Sequence, residues 1–378
     1  MSWIKTIFIN IFVLFSLLGL LLMIPPMANF AFKSIQKYVY DPLEDSRYKL
    51  PNYEDIHWAE LHFKEFSNLS TSYHDTINWR RDDFSGGTIN IKNGIRKTFH
   101  SNVNSPIQVW FFGGSTTWGT GVNDQNTFPS IFASKTDTDV TNFGETYYTS
   151  RQSLSYLQNL YIDPELEKKN NRLIVFYDGV NDTDLCRIEL AIDETTYERS
   201  VRNILRSNGF ELTKTFHQLL TFLEASLKRL RFTFQDKDLN PYYDCDLDPK
   251  KADYIASTLV NIWIQANNLA KLNDHKFIAI LQPVAFLGNP YTNHLDLSKP
   301  YLIRLKKQFE ILYPLIRSKA GQAGINFFDL TNTYDQCKFC YIDYCHVSVE
   351  AHFLLVDEIL DSIKSKPELS MFDPLFLR

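Results

Sequence analysis

The sequence predicts an α/β fold: a three-layer α/β/α, flavodoxin-like sheet of about five parallel strands, with an N-terminal transmembrane helix and an inserted helical cap. Three observations predict it. From residue 106 onward, short continuous apolar runs alternate with helical stretches, the pattern of parallel strands covered on both faces. The segment Ile7–Ile24 is apolar and uncharged. A stretch of roughly Thr183–Pro249 separates the third and fourth strands and is too long for a simple crossover.

The first element is the run IFINIFVLFSLLGLLLMI, interrupted only by Asn10, Ser16 and Gly19. A helix of this length can cross the hydrocarbon core, and Pro25-Pro26 stops it. A cleaved signal peptide expects a small-x-small site. Ala28 instead has Pro26 two positions before it, and Ala31 has Asn29, so residues 1–31 read as an uncleaved anchor. Lys5 lies before the run, and Lys33, Lys37, Arg47 and Lys49 after it. Counting those charges keeps the C-terminal side in the cytoplasm, but long domains cross largely regardless of charge. The expectation is a single-pass protein with its large domain outside the cytoplasmic membrane.

Residues 32–105 form a polar, aromatic-rich lead-in, with a turn at Gly86-Gly87 and a short strand pair at Ile89, Ile91 and Ile95. The main domain, 106–370, follows. Val109–Phe112 is a buried strand ending at Gly113-Gly114, and Phe128–Lys135 suits a helix. Val140–Phe143 is a strand ending at Gly144, with a helix near Arg151–Tyr161. Leu173–Tyr177 is a strand ending at Asp178-Gly179. Beyond the insert, Ala252–Leu272 reads as a helix and Phe277–Leu281 as a strand. Tyr301–Ala320 is a helix, Ile325–Leu330 a strand and Val347–Ser365 the last helix. Within the insert, 183–249, the residues Phe216, Leu219, Leu220, Leu223, Leu227 and Leu230 fall at helical spacing. They suit a helix packed on the domain or a cap over a site.

Composition excludes several classes. The chain has 378 residues, with 39 Lys+Arg and 44 Asp+Glu, a net charge of −5. No long basic run offers a footprint for nucleic acid. With 44% hydrophobic and 22% charged residues, long disorder does not fit. Five cysteines are too sparse for a disulfide scaffold. The 29 Phe and 20 Tyr suit either sugar-stacking surfaces or an aromatic-rich core.

Chemistry-bearing residues sit where ligands bind in such sheets, beyond the carboxyl ends of the strands. Ser115 follows strand one in FFGGSTTWG, Gly144 follows strand two in TNFGE, and Asn181 follows strand three in FYDGVND. Asp343 and His346 precede the last helix in YIDYCHVS. Together they supply a nucleophile, a backbone donor, an amide donor and an acid–histidine pair, a set recognised by roles and not by chain order. Singly, each has a plainer reading: Ser115 as a helix cap, Gly144 and Asn181-Asp182 as turns, His346 as a surface cap.

In order, the set resembles the SGNH/GDSL hydrolase superfamily, over roughly residues 106–365. Ser115, Gly144, Asn181 and His346 match its four named residues, and Asp343 matches the acid of its Asp-x-x-His block. Gly179-Val180-Asn181-Asp182 matches the Gly-x-Asn-Asp block in full. The first block departs: Gly113-Gly114-Ser115-Thr116 stands where the family name has Gly-Asp-Ser-Leu. The replaced Asp is not the triad acid, so the machinery survives. The resemblance implies a serine esterase in which His346 takes the Ser115 proton and Asp343 orients the imidazole. The N–H groups of Ser115 and Gly144 and the Asn181 amide would form the oxyanion hole. No metal and no organic cofactor is required by this chemistry.

The implied substrate is an acylated polysaccharide or other ester, with removal of acyl groups, most simply O-acetyl. An O-acyltransferase with the same triad, a lipid esterase or lysophospholipase, and a non-catalytic polysaccharide-assembly factor are the alternatives. Trp118 borders an acyl pocket, stacks on a sugar or packs in the core, and His352 reads as packing or surface. Asp182 and Asp184 contact substrate hydroxyls or are solvated loop carboxylates. Cys186 and Cys245 bracket most of the insert, while Cys337-x-x-Cys340 and Cys345 crowd the Asp343–His346 loop. One or two bridges tying the insert to that loop are expected, and a zinc site there is the weaker reading. Asn68-Leu-Ser is a glycosylation sequon by pattern only.

Overall fold

The computed structural model describes residues 45–164, 171–187 and 243–376. All of them fall in one compact unit, Asp45–Thr195 with Asn240–Arg378. Among the described residues no helix is long and apolar enough to cross a membrane. The anchor expected at Ile7–Ile24, the flanking Lys5, Lys33 and Lys37, and the amphipathic stretch from Phe216 to Leu230 lie outside the described residues.

The lead-in holds helix α1 (Ala59–Ser67), the hairpin β1 (Thr71–His74) and β2 (Asn78–Arg81), and a meander of β3 (Phe84–Ser85), β4 (Asn90–Lys92) and β5 (Ile95–Arg96). The main domain continues with β6 (Ile107–Gly113), α2 (Ser115–Trp118), α3 (Phe128–Thr136), β7 (Asp139–Asn142), α4 (Ser150–Ile162), β8 (Asn171–Asp178) and α5 (Val180–Thr183). It closes with α6 (Pro249–Leu272), β9 (Lys276–Leu281), α7 (Pro300–Gln322), β10 (Phe327–Asp329) and α8 (Val349–Lys364).

Five strands are parallel, in the order β10-β9-β8-β6-β7. That is the doubly wound order of flavodoxin-like sheets, with a switch point between β6 and β8. Side chains alternate across the sheet. Trp110, Phe112, Ile174, Phe176, Phe277 and Ala279 face one core with α4, α6 and α7. Val109, Phe111, Leu173, Val175, Ile278 and Ile280 face the other, with α3 and α8. Each such side chain contributes about 1.5–3 kcal/mol on burial, so slipping a strand by one residue would exchange the two cores.

The helices start where their caps dictate. The Thr127 side chain accepts the Ser130 N–H of α3, Thr149 and Gln152 form a capping box on α4, and Asp248 caps α6 just before Pro249. Such caps contribute about 1 kcal/mol each.

The sheet corrects one expectation. Among the described residues it has eight strands, the five parallel ones and three more. The meander adds β5, β4 and β3 antiparallel beyond β7, through the single pairing of Arg96 with Asn142. The strand pair expected around Ile91 and Ile95 is β4 with β5, while β3 and the join to β7 are too short to show a period and only their pairing reveals them. Ile89 and Ile91 are buried there against Trp118.

Candidate active site

Ser115 opens helix α2 directly beyond β6. Its first-turn N–H groups have no intrahelical acceptor, so they face outward from the strand's end. Gly114 permits this turn: a Cβ there would collide with the Asn181 side-chain amide. The Ser115 Oγ lies 2.7 Å from His346 Nε2. His346 Nδ1 lies 2.6 Å from Asp343 Oδ2. The structure therefore brings the three residues into one hydrogen-bonded relay, from elements 231 residues apart in sequence.

The Asp343 carboxylate is held from four directions. Its Oδ1 accepts the backbone N–H groups of Cys345 (2.9 Å) and His346 (2.7 Å). Its Oδ2 accepts from His346 and from Arg47 Nη1 at 2.9 Å. Burial raises its pKa, but the His346 charge and hydrogen bond, then the Arg47 guanidinium, outweigh burial and hold the carboxyl well below the usual range. An ionised acid in this place keeps the imidazole oriented and favours its charged form.

The donors are arranged differently from expectation. Asn181 Nδ2 donates to the Tyr148 carbonyl at 2.7 Å, and an amide carries a second hydrogen. Gly144 packs against the nucleophile helix, where a Cβ would lie 2.6 Å from the Trp118 nitrogen. Its N–H, however, donates to Asn142 Oδ1 at 3.0 Å. Asn142 in turn donates to the Thr117 carbonyl at 2.9 Å. Gly144 is thus where the sequence puts it, with its N–H committed to Asn142 and not presented to an incoming oxygen. The donors left at the nucleophile are the Ser115 N–H and the second Asn181 hydrogen.

Other candidates take plainer roles. Trp118 is fully buried, with the Arg96 guanidinium 4.2 Å above its ring, so it is core. Asp182 is buried and caps α4, accepting from Ser150 Oγ at 2.6 Å and from the Ser150 N–H; it is neither solvated nor open to a sugar. Asp184 accepts from Tyr243 at 3.2 Å at the foot of the insert. His352 is buried, bonded at 2.8 Å to the Asn126 carbonyl, and burial lowers its pKa to about 4. The two disulfides are Cys186–Cys245 and Cys337–Cys340, and Cys345 is a buried free thiol. The expected bridge from insert to catalytic loop is absent among the described residues: one disulfide closes the foot of the insert and the other is local. The zinc reading loses two thiolates to Cys337–Cys340. Asp343, Cys345 and His346 do bring ligand-type atoms within 4.8 Å of one another, but the acid and the imidazole are already joined in the relay.

Sequence reasoning missed Asn142 and three arginines of the lead-in. Arg47 binds Asp343. Arg80 donates to the carbonyls of Gly94 (2.9 Å), Phe143 (3.0 Å) and Gly144 (3.3 Å). Arg96 donates to Asp124 (2.8 Å) and to the carbonyls of Trp118, Gly119 and Val122. Each arginine reaches a different loop of the site. A lone arginine in a polar stretch, or one Asn at a strand end, carries no local sign of this.

No family model matches the chain, and no curated protein matches it. Solved structures do. A lipolytic protein of the G-D-S-L family from Veillonella parvula is 13% identical, covering 68% of this chain and 97% of that one, with a TM-score of 0.37. Est24, a carbohydrate acetylesterase from Sinorhizobium meliloti, is 14% identical, covering 68% and 99%, with a TM-score of 0.37. The aryl esterase of M. smegmatis is 13% identical, covering 68% and 99%, with a TM-score of 0.38.

Proposed function

We propose that this chain is a serine esterase of the SGNH/GDSL type. The observation that carries the reading is the relay Ser115 Oγ–His346 Nε2 at 2.7 Å and His346 Nδ1–Asp343 Oδ2 at 2.6 Å. In this reading His346 removes the Ser115 proton as Oγ attacks an ester carbonyl, and Asp343 stabilises the imidazolium. The Ser115 N–H and the Asn181 amide bind the oxyanion. The leaving alcohol takes the proton from His346, and water then releases the acyl group from Ser115.

The substrate we propose is an O-acyl, most simply O-acetyl, ester on a surface or cell-wall polysaccharide. The motif resemblance supports that class. The uncharged run Ile7–Ile24 supports a membrane-anchored protein acting outside the cytoplasm. Labelling with a fluorophosphonate, mapping of the adduct and turnover of p-nitrophenyl acetate test the chemistry, with Ser115→Ala as control. An adduct on Ser115, with turnover lost in the variant, is the expected result. A folded protein that neither labels nor turns over would overturn it. Supplying an acceptor glycan beside water then separates hydrolysis from acyl transfer by the same intermediate.

A further inference from the structure

The Asp343 oxygen that accepts from His346 also accepts from Arg47, a residue outside the motif blocks and 296 positions away in sequence. Arg47 lies in the 3-10 turn Ser46–Lys49, capped by Asp45. Its guanidinium is fixed on three sides. Nε and Nη2 fork onto the Asp45 carboxylate at 2.9 and 2.7 Å, the Phe63 ring lies 5.0 Å away, and Nη1 is left to reach Asp343 at 2.9 Å. A planar fork with two donors committed directs the third with little freedom. The surrounding segment is docked on both sides of the relay. Asn52 donates to the Phe339 and Tyr341 carbonyls of the Asp343 loop. Tyr53 donates to the Gly121 carbonyl at 2.7 Å, on the loop after the nucleophile. Ile342 packs with Tyr53, Ala59 and Phe63.

We propose that Arg47 is a positioning residue for the relay: it clamps Asp343 Oδ2 and partly neutralises the carboxylate that His346 leans on. This rests on the esterase reading above. The clamp has a sign. His346 itself meets Asp343 and Cys345 of its own loop, Ser115 of α2 and, through its charge, His352 of α8, while Arg47, backed by Asp45, and Tyr53 of the lead-in act on Asp343. Burial keeps the Cys345 thiol and the Tyr53 hydroxyl protonated, and keeps His352 neutral. Arg47 is therefore the permanent positive charge among these described groups, and Asp343 with Asp45 the negative ones. Arg47 and His346 share the Asp343 Oδ2 atom, so removing the guanidinium leaves that carboxylate's full charge to the imidazole.

The test compares Arg47→Gln, which keeps length and a donor but no charge, with Arg47→Lys, which keeps charge but no fork. The readout is the pH dependence of the fluorophosphonate labelling rate and of kcat/KM for p-nitrophenyl acetate, on the full chain. Arg47→Gln is expected to move the acid limb up by about half to one pH unit, with the Arg47→Lys limb near that of the wild type. Equal limbs in all three proteins, with any loss of rate independent of pH, would overturn the proposal and leave Arg47 as a strap. A limb that moves alike in both variants would also overturn it, since charge would not be the cause. Wild-type protein that fails to label at any pH would instead remove the esterase reading itself, which separates the two failures.

Discussion

Strand β6 runs for seven residues, all buried, while β3 and β5 have two residues each, yet all lie in one sheet. The parallel wing is held by apolar burial on both faces and presents its polar residues, Ser115, Asn181 and the Asp343–His346 pair, beyond the strand ends. The antiparallel wing has little apolar area of its own. It is tied on by buried guanidinium groups: Arg80 and Arg96 are almost wholly excluded from solvent, and both spend most of their donors on main-chain carbonyls. One wing carries the residues of the candidate site and the other fixes the loops around them. A segment that looks accessory thus holds the loops of the candidate site in shape.

Substitutions in the two wings should therefore separate activity from stability. The largest effect belongs to the parallel wing. Ser115→Ala is expected to lower turnover by about 10⁴- to 10⁶-fold, measured with p-nitrophenyl acetate, with the melting temperature unchanged. Arg96→Met should do the reverse. Asp124 would be left buried without its partner, and breaking such a pair costs about 3–5 kcal/mol. Chemical denaturation followed by circular dichroism reads that loss. A stability within 1 kcal/mol of wild type, roughly the scale of an ordinary substitution, would show that the antiparallel wing does not depend on its arginines.

Asn181→Ala sharpens the comparison within the site. With the Gly144 N–H engaged by Asn142, fewer donors share the oxyanion, and the loss of kcat is expected to be about a hundred- to a thousandfold. A change of less than tenfold would mean that Gly144 turns its N–H to the substrate after all.

The smallest effect lies beneath the nucleophile. Asp178 and Asp182 are buried close together. Burial, then the Asp182 charge, pushes the Asp178 carboxyl up, while Trp263 Nε1 donates to it at 3.0 Å. A carboxyl kept protonated in the fold but ionised in the unfolded chain lowers stability as pH rises above its ordinary value of 3.8. Asp178→Asn keeps the acceptor for Trp263 and removes that slope. It is expected to gain about 1 kcal/mol over wild type at pH 8, and no gain near pH 3. Melting curves at the two pH values check this.

The parallel wing was legible in the sequence because its signals are long and local. VWFF, LIVFY and FIAIL each read as strands without reference to anything else, and the polar blocks stand at their ends. The relay was legible for the same reason, since each of its members belongs to a block with fixed spacing. The meander was legible only in part: the strand pair at Ile91 and Ile95 was read, as β4 and β5, but β3 and the joining of the meander to β7 were not, because a two-residue strand and a single pairing show no period. Arg47, Arg80 and Arg96 were not, because their meaning lies in carbonyls and carboxylates far away in sequence. Gly144 shows a finer limit. Its position after a strand followed from the sequence, but the direction of its N–H depends on Asn142, a side chain two residues earlier whose own orientation is set by the Thr117 carbonyl.

At the foot of the insert, Cys186 and Cys245 are joined across 59 positions, Arg187 pairs with Tyr243 as an antiparallel bridge, and Lys251 Nζ donates to the Arg187 carbonyl and to Asp244. The described residues on the two sides of segment 188–242 are thus welded to each other. In mechanical terms the neck is a clamp: the turn after α5 and the start of α6 cannot separate while that disulfide is closed.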